Sequence, residues 1–431
     1  MRRAALTGVL LLAPLLPVGA RGQDRPVAFV DVSVLPMDRE RVVEHQTVIV
    51  QGGKISALGP VASTAVPAGA TRVDGRGKFL MPGLAGMHGH IPGANAAFTP
   101  ENVLFLYIAG GATTVRGMQG NPSHIELRKR VEAGEIIGPR LYLSSQALSA
   151  QQAPDPATAE RIVREAKQIG YDHIKVHENL SKETYDAIAR TGREVGLPWG
   201  GHVSQYVTVQ GALAAHQSTI DHIDDYIEAI QSNPANIPAI AKQTKDAGVA
   251  VVPTMPLWEV LRGLHTAESM ADRVELKYVP AQMRQGWATQ VTNVRAQANL
   301  DASKREIDFR NQILKGLSDG GVLILMGSDA PQLYSVPGYS LQHEMESMVA
   351  VGMTRFQVLQ SGTVNVAKFY KLENEAGTVA VGKRADLLLL DANPLADIKN
   401  MARKAGVMVR GRWLPWSEIQ ARLDQMAEQY K

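Results

Sequence analysis

The chain has 431 residues, 45% of them apolar and 20% charged, with a formal net charge of +3 and no cysteine. Lack of cysteine excludes disulfides, thiolate metal ligands and a cysteine nucleophile, so any metal must be held by histidine, carboxylate or a modified side chain. The length accommodates one large barrel plus a smaller domain, and the small net charge gives no case for nucleic-acid binding.

Residues 1–22 read as an export signal. Arg2 and Arg3 form a basic end, Leu6–Val18 an apolar stretch, and Val18-Gly19-Ala20 or Ala20-Arg21-Gly22 a small-residue cleavage site. The apolar stretch falls short of the roughly 20 residues a membrane span needs. Cleavage after Gly22 removes Arg2, Arg3 and Arg21 and takes the formal charge from +3 to about 0. The expectation is an exported protein, periplasmic or secreted, with no membrane attachment once the signal is gone.

Val27–Leu35, Gln46–Val50 and Ile55–Gly59 read as strands, with a turn at Gln51-Gly52-Gly53-Lys54. Near the other end, Gly377–Asp391 and Val407–Trp413 return to strand and turn. Residues 23–80 and 376–431 are therefore expected to pair into one small β-sandwich domain. Between them the pattern changes to short apolar strands separated by amphipathic segments such as Thr158–Gly170, Lys182–Gly196 and Asn236–Gly248. The strands are Gly83–His90, Ala112–Arg116, Arg140–Ser144, Asp172–His177, Pro198–His202, Ser218–His222, Val249–Thr254 and Gly321–Asp329. Strand and helix alternating eight times predict an α/β fold, a (β/α)8 TIM barrel over residues 81–375. The long charged stretch 255–320 is expected to form a helical insertion near its mouth.

Catalytic groups in such barrels sit at the C-terminal strand ends. Those ends carry His88 and His90, Lys175 and His177, His202, His222 and Asp329. In a strand, His88 and His90 point to the same side, and Gly89 keeps the opposite side small. Taken singly, His202 reads as a hydrogen-bonded core histidine and Asp329 as a turn or cap residue. His216 competes with His222 but falls before the strand. His177 shares the strand face of Lys175 and is equally a substrate or a metal contact. Lys175 has three outcomes: it meets a substrate carboxylate, lies outside the site, or is neutralised as a carbamate. Arg116 and Tyr226 are further candidates for substrate contact, with a structural role for Arg116 and packing beneath a loop for Tyr226 as alternatives.

Several of these stretches together resemble the amidohydrolase superfamily. They are Pro82-Gly83 with Met87-His88-Gly89-His90, Gly111–Arg116, Ile174-Lys175-Val176 and Gly201-His202-Val203. Asp221-His222, Gly327-Ser328-Asp329 and Val381–Leu387 complete the match. Within the superfamily the chain looks most like the imidazolonepropionase-related branch containing exported, Xaa-Pro dipeptidase-like enzymes. Gly86 stands where many members carry Asp. The resemblance implies two divalent metal ions, with His88, His90 and Asp329 on one and His202 and His222 on the other. Lys175, carbamylated by carbon dioxide, would bridge them together with a hydroxide. Zinc is the metal expected from a histidine-rich set. Imidazolonepropionases themselves resemble a mononuclear design without the modified lysine, so Lys175 argues against that assignment.

The implied activity is hydrolysis of amide or peptide bonds in small substrates such as dipeptides or N-acyl amino acids, with Asp329 as general base and then acid. A lactone, ester or cyclic-amide hydrolase is the alternative, and a non-catalytic metal-binding scaffold a remote one. A serine hydrolase is a poor rival, because no G-x-S-x-G elbow is present. The expected partner is a small-molecule substrate, and homo-oligomerisation is implied by the resemblance alone.

Overall fold

A computed structural model describes residues 25–431; the expected signal peptide lies outside them. The described chain opens with β1 (Val27–Val34), β2 (Val43–Gln51), β3 (Lys54–Pro60), β4 (Thr71–Asp74) and β5 (Phe79–Pro82). Short strands follow: β6 (Leu84–Gly89), β7 (Ala112–Gly117), β8 (Arg140–Leu143), β9 (Ile174–Val176), β10 (Trp199–Gly201), β11 (Thr219–Asp221) and β12 (Ala250–Val252). The chain closes with β13 (Leu387–Leu390), β14 (Lys404–Val409), β15 (Arg412–Pro415) and the helix Trp416–Gln429.

The two ends of the chain meet, as their strand character suggests. β5 pairs antiparallel with β13 and parallel with β1, giving an eight-stranded sheet in the order β15-β14-β13-β5-β1-β2-β3 with β4 on β1. The predicted turn at Gly52-Gly53 joins β2 to β3, both glycines at positive φ (58° and 73°), the backbone a tight two-residue hairpin demands. A small β-sandwich domain was expected of these segments; their strands are all hydrogen-bonded into one connected sheet, in which β1 pairs with β2, β4 and β5. Its two faces have different coverings. Phe29, Leu80, Leu387 and Leu389 pack in a small core of their own, while Met81, Leu388 and Leu390 join the main core. The alternation follows from the two-residue period of a strand.

The middle of the chain is α/β with parallel pairing throughout. β6-β7-β8 form one parallel sheet and β9-β10-β11-β12 another. Backbone hydrogen bonds extend both. Ser145 N donates to His173 O (3.0 Å), Leu325 N to Val251 O (2.8 Å) and Met87 N to Met326 O (2.7 Å). Helices separate the strands, with local signals at their ends. Pro156–Ile169 begins where the Asp155 carboxylate accepts from Thr158 N (2.9 Å) and stops at Gly170, φ 94°. Residues 255–320 are helical as expected, chiefly Met255–Leu261, Ala281–Gln297 and Leu300–Asp319. Among the described residues no helix is long and apolar enough to cross a membrane.

Candidate metal centre

The polar residues at the strand ends converge. His88 and His90, on one side of β6, bring their Nε2 atoms to 3.4 and 2.5 Å from Asp329 Oδ1. His222 Nε2 lies 3.8 Å from the other carboxylate oxygen. The imidazoles form a row, with ring-centre spacings of 5.5 Å (His90 to His88), 4.9 Å (to His222), 4.7 Å (to His202) and 4.2 Å (to His177). His222 and Thr254, just past β11 and β12, and Asp329 all stand in the left-handed region, at φ 76°, 51° and 57°. For residues with a Cβ this costs on the order of 1–3 kcal/mol each, and the surrounding packing must hold it.

Lys175 enters the same cluster from β9. Its side chain is buried, and Nζ has no hydrogen-bond partner. Space for it comes from Gly201, where an added Cβ would approach Lys175 Cδ to 2.8 Å and Val176 O to 2.5 Å. A buried ammonium beside five imidazoles is disfavoured. Burial accordingly pulls the Lys175 pKa below its ordinary value.

Burial also favours the neutral form of four of the histidines. It lowers His88 to about 4 and His222 to about 3, and holds His202 and His177 below the ordinary histidine range. Neutral imidazole is the metal-binding form. For Asp329 burial acts upward, but His88 and His90 beside it outweigh burial and hold the carboxyl well below the usual range. His222 Nδ1 sits 2.6 Å from Thr254 Oγ1, which leaves Nε2 for the cavity. His88 Nδ1 lies 2.9 Å from Asp221 Oδ2, out of line for a good hydrogen bond. Asp221 is pinned by Arg116, whose Nη2 donates to both carboxylate oxygens (3.0 and 2.9 Å) and whose Nε donates to Met87 O (2.6 Å).

The donor set fits a divalent cation. His88, His90 and Asp329 each offer a ligand atom within 4.8 Å of the others, and the mixture of neutral imidazole and carboxylate suits zinc, manganese, cobalt or iron. These residues open on a cavity of about 680 Å³, which Lys175, His177, His202 and His222 also line. Two sequence candidates lie elsewhere. Arg116 is 2% exposed and locked on Asp221 beneath the cavity. Tyr226 is fully buried, its hydroxyl against Thr244 Oγ1 (3.1 Å). His216 is on the outside, with Nδ1 3.1 Å from Ala247 O. Sequence reasoning did not find Gln119, Gln332, Leu257, Trp258 or Leu261, which complete the lining. It also missed Asp221, whose signal was its place two residues after Thr219 on one face of β11.

A model of the amidohydrolase family matches residues 79–414, more than half the chain. An imidazolonepropionase of Arthrobacter sp. (strain FB24) is 23% identical over 389 residues, covering 82% of this chain and 89% of its own length. An adenine deaminase of Mesorhizobium japonicum is 20% identical over 369 residues, covering 81% of this chain. The chain spans about half the length of such deaminases (51% for this one). Two solved structures share the fold. A bottromycin amidohydrolase superposes with a TM-score of 0.74 at 20% identity, covering 96% of this chain and 95% of its own. A Xaa-Pro dipeptidase with methionine in its active site gives 0.69 at 19%, covering 90% and 100%. With the sequence match spanning every strand that feeds the cluster, the chain belongs to the amidohydrolase family.

Proposed function

We propose that the chain is a binuclear metal-dependent hydrolase of carbon–nitrogen bonds in small amides, built at the mouth of a closed (β/α)8 barrel. The backbone bonds that link β8 to β9, β12 to residues 323–325, and Met326 to β6 support the barrel reading. His88, His90 and Asp329 would hold one cation, and His202 and His222 a second, with Lys175 as a bridging carbamate. The observation that carries the proposal is the convergence of five imidazoles, one carboxylate and a buried, partnerless lysine amine on one cavity. Carbamylation would turn that amine from an unpaired donor into an anionic ligand. The export signal read from residues 1–22 would place the enzyme outside the cytoplasm.

Bound cations would supply Lewis acidity and lower the pKa of coordinated water. The chain itself supplies orientation and proton transfer. Asp329 is ionised at neutral pH, because His88 and His90 hold its pKa down, so it starts as the proton acceptor. It then returns the proton to the leaving nitrogen. Thr254 holds the ring of His222 from behind, and the Asp221 carboxylate stands against that of His88. Dipeptides and N-acyl amino acids are the substrate class the sequence resemblance suggests, as the Xaa-Pro dipeptidase neighbour also does. Metal analysis of the purified protein tests the reading together with a panel of dipeptides, N-acyl amino acids, neutral amides and lactones. Two metals per chain and loss of turnover in Asp329→Asn are expected. Fewer than two metals, or an Asp329→Asn variant of undiminished activity, refutes it.

A further inference from the structure

Beside the histidines the cavity has an apolar wall. Leu257, Trp258 and Leu261 line it from the helix Met255–Leu261, where residues three and four apart share a side. The Trp258 ring stands edge-on to His222, 5.8 Å between centres. It is held rigidly. The Arg310 guanidinium lies 4.1 Å from the indole centre and that of Arg262 5.0 Å.

Both cations are already committed. Arg310 pairs with Asp224 (2.5 Å) and Glu306 (2.8 Å), and Arg262 with Glu306 (2.7 Å). Arg116 is bound to Asp221. Among the described residues lining the cavity there is no arginine, and the single lysine is Lys175. His177 lies against the His202 ring, 4.2 Å between centres, on the imidazole side of the cavity. What else is polar there is neutral: the Trp258 Nε1–H, a buried donor with no partner, and two carboxamides, Gln119 and Gln332, of which Gln332 Nε2 already donates to Asp329 O (3.0 Å). A substrate carboxylate laid against this wall would lose its water and gain no cation, whereas an apolar group would gain by leaving water.

We infer that the Leu257–Trp258–Leu261 wall receives an uncharged, apolar part of the substrate, so that neutral amides are preferred to dipeptides and N-acyl amino acids. The inference rests on the hydrolase reading above and narrows its substrate class. In the reaction, the oxygen of one water joins the acyl carbon and the C–N bond breaks. The nitrogen leaves as an amine with one proton taken from that water, and the acid is the other product.

Two chromogenic anilides separate the possibilities. N-hexanoyl-4-nitroanilide and the N-hexanoyl amide of 5-amino-2-nitrobenzoate differ by one carboxylate at the aromatic ring. With the metal-loaded full chain, kcat/KM is expected to be at least about tenfold higher for the neutral anilide, the discrimination that one unpaired charge supplies. Trp258→Ala and, as a milder variant, Leu261→Asn should each raise KM for the neutral anilide about tenfold with little change in kcat. Equal or faster cleavage of the carboxylated anilide overturns the inference and leaves the hydrolase reading standing. If neither is cleaved, the reading of these compounds as substrates fails, and calorimetric titration of the protein with both decides the inference. Tighter binding of the neutral compound supports it, and equal or weaker binding overturns it.

Discussion

Replacing Asp221 by asparagine isolates the support beneath the proposed metal ligands. Asp221 and Arg116 are 0% and 2% exposed at their side chains, and the guanidinium makes two contacts of 3.0 and 2.9 Å to one carboxylate. Asparagine keeps the shape and removes the charge, leaving Arg116 buried without an anion. Breaking a buried pair in this way costs about 3–5 kcal/mol, most of it the desolvated charge left behind. The double variant Arg116→Met with Asp221→Leu removes both charges and should cost less than Asp221→Leu alone, a coupling that a double-mutant cycle with the singles Arg116→Met and Asp221→Leu reads directly. Urea unfolding of the full chain, followed by circular dichroism with a chelator present, measures both as midpoint shifts at unchanged slope. A loss below about 1 kcal/mol for Asp221→Asn, or a double variant no better than the sum of the singles, refutes the reasoning. An Arg116→Lys variant that keeps full stability and raises only KM would return Arg116 to the substrate, where its sequence position first suggested it.

Gly89→Ala and Gly86→Ala, three residues apart on β6, should differ sharply. A Cβ at Gly89 collides with the Tyr107 hydroxyl, which donates to Ala330 O (2.8 Å) beside Asp329, whereas one at Gly86 meets nothing closer than Leu341 Cδ1 at 3.6 Å. Turnover is expected to fall about 100-fold in the first and to survive in the second; equal effects contradict the placement. Thr254→Ala removes the partner of His222 Nδ1 and should weaken metal binding about 10–100-fold, with Thr254→Ser near wild type, as measured by competition with a chelating dye. Asp225 responds to pH. Burial and the neighbouring Asp224 raise its pKa from 3.8 to about 7, so between about pH 4 and 7 the unfolded chain holds fewer protons at this site and stability falls as pH rises. Asp225→Asn should therefore stabilise the protein at pH 8, by up to about 4 kcal/mol, and leave it unchanged at pH 4. A difference independent of pH speaks against a protonated buried carboxyl.

Much of the ligand cluster was legible because strand geometry is local. Two histidines at i and i+2 share a side whatever surrounds them, and an acid or imidazole closing an apolar run falls at a strand end. What decided Arg116 was not local, since its partner is 105 residues away, and no neighbour in sequence tells whether a strand-end arginine faces the cavity or the interior below it. Tyr226 depended likewise on Thr244 from the next helix. The Leu257–Trp258–Leu261 wall carries no chemical signature, so only the docking of its helix places it by the imidazoles. Leu387–Leu390 reads plainly as a strand, yet the choice between sandwich and single sheet turned on what covers its second face. Residues 323–326 read as a strand too, but Met326 N donates to Ser361 O (3.0 Å), away from the neighbouring strands, and the ladder there is broken into single bridges.

His90 and Asp329 meet across 239 residues of sequence. Any chain stopped before residue 322 holds the two β6 histidines with no carboxylate to face them. Under the proposed metal set, capture of a cation would report that translation and folding had both reached residue 329. A cation held there would tie the end of β6 to residue 329, and its binding energy would add to the stability of the segments between them. A fragment assay makes this visible: residues 25–320 should bind metal far more weakly than residues 25–431.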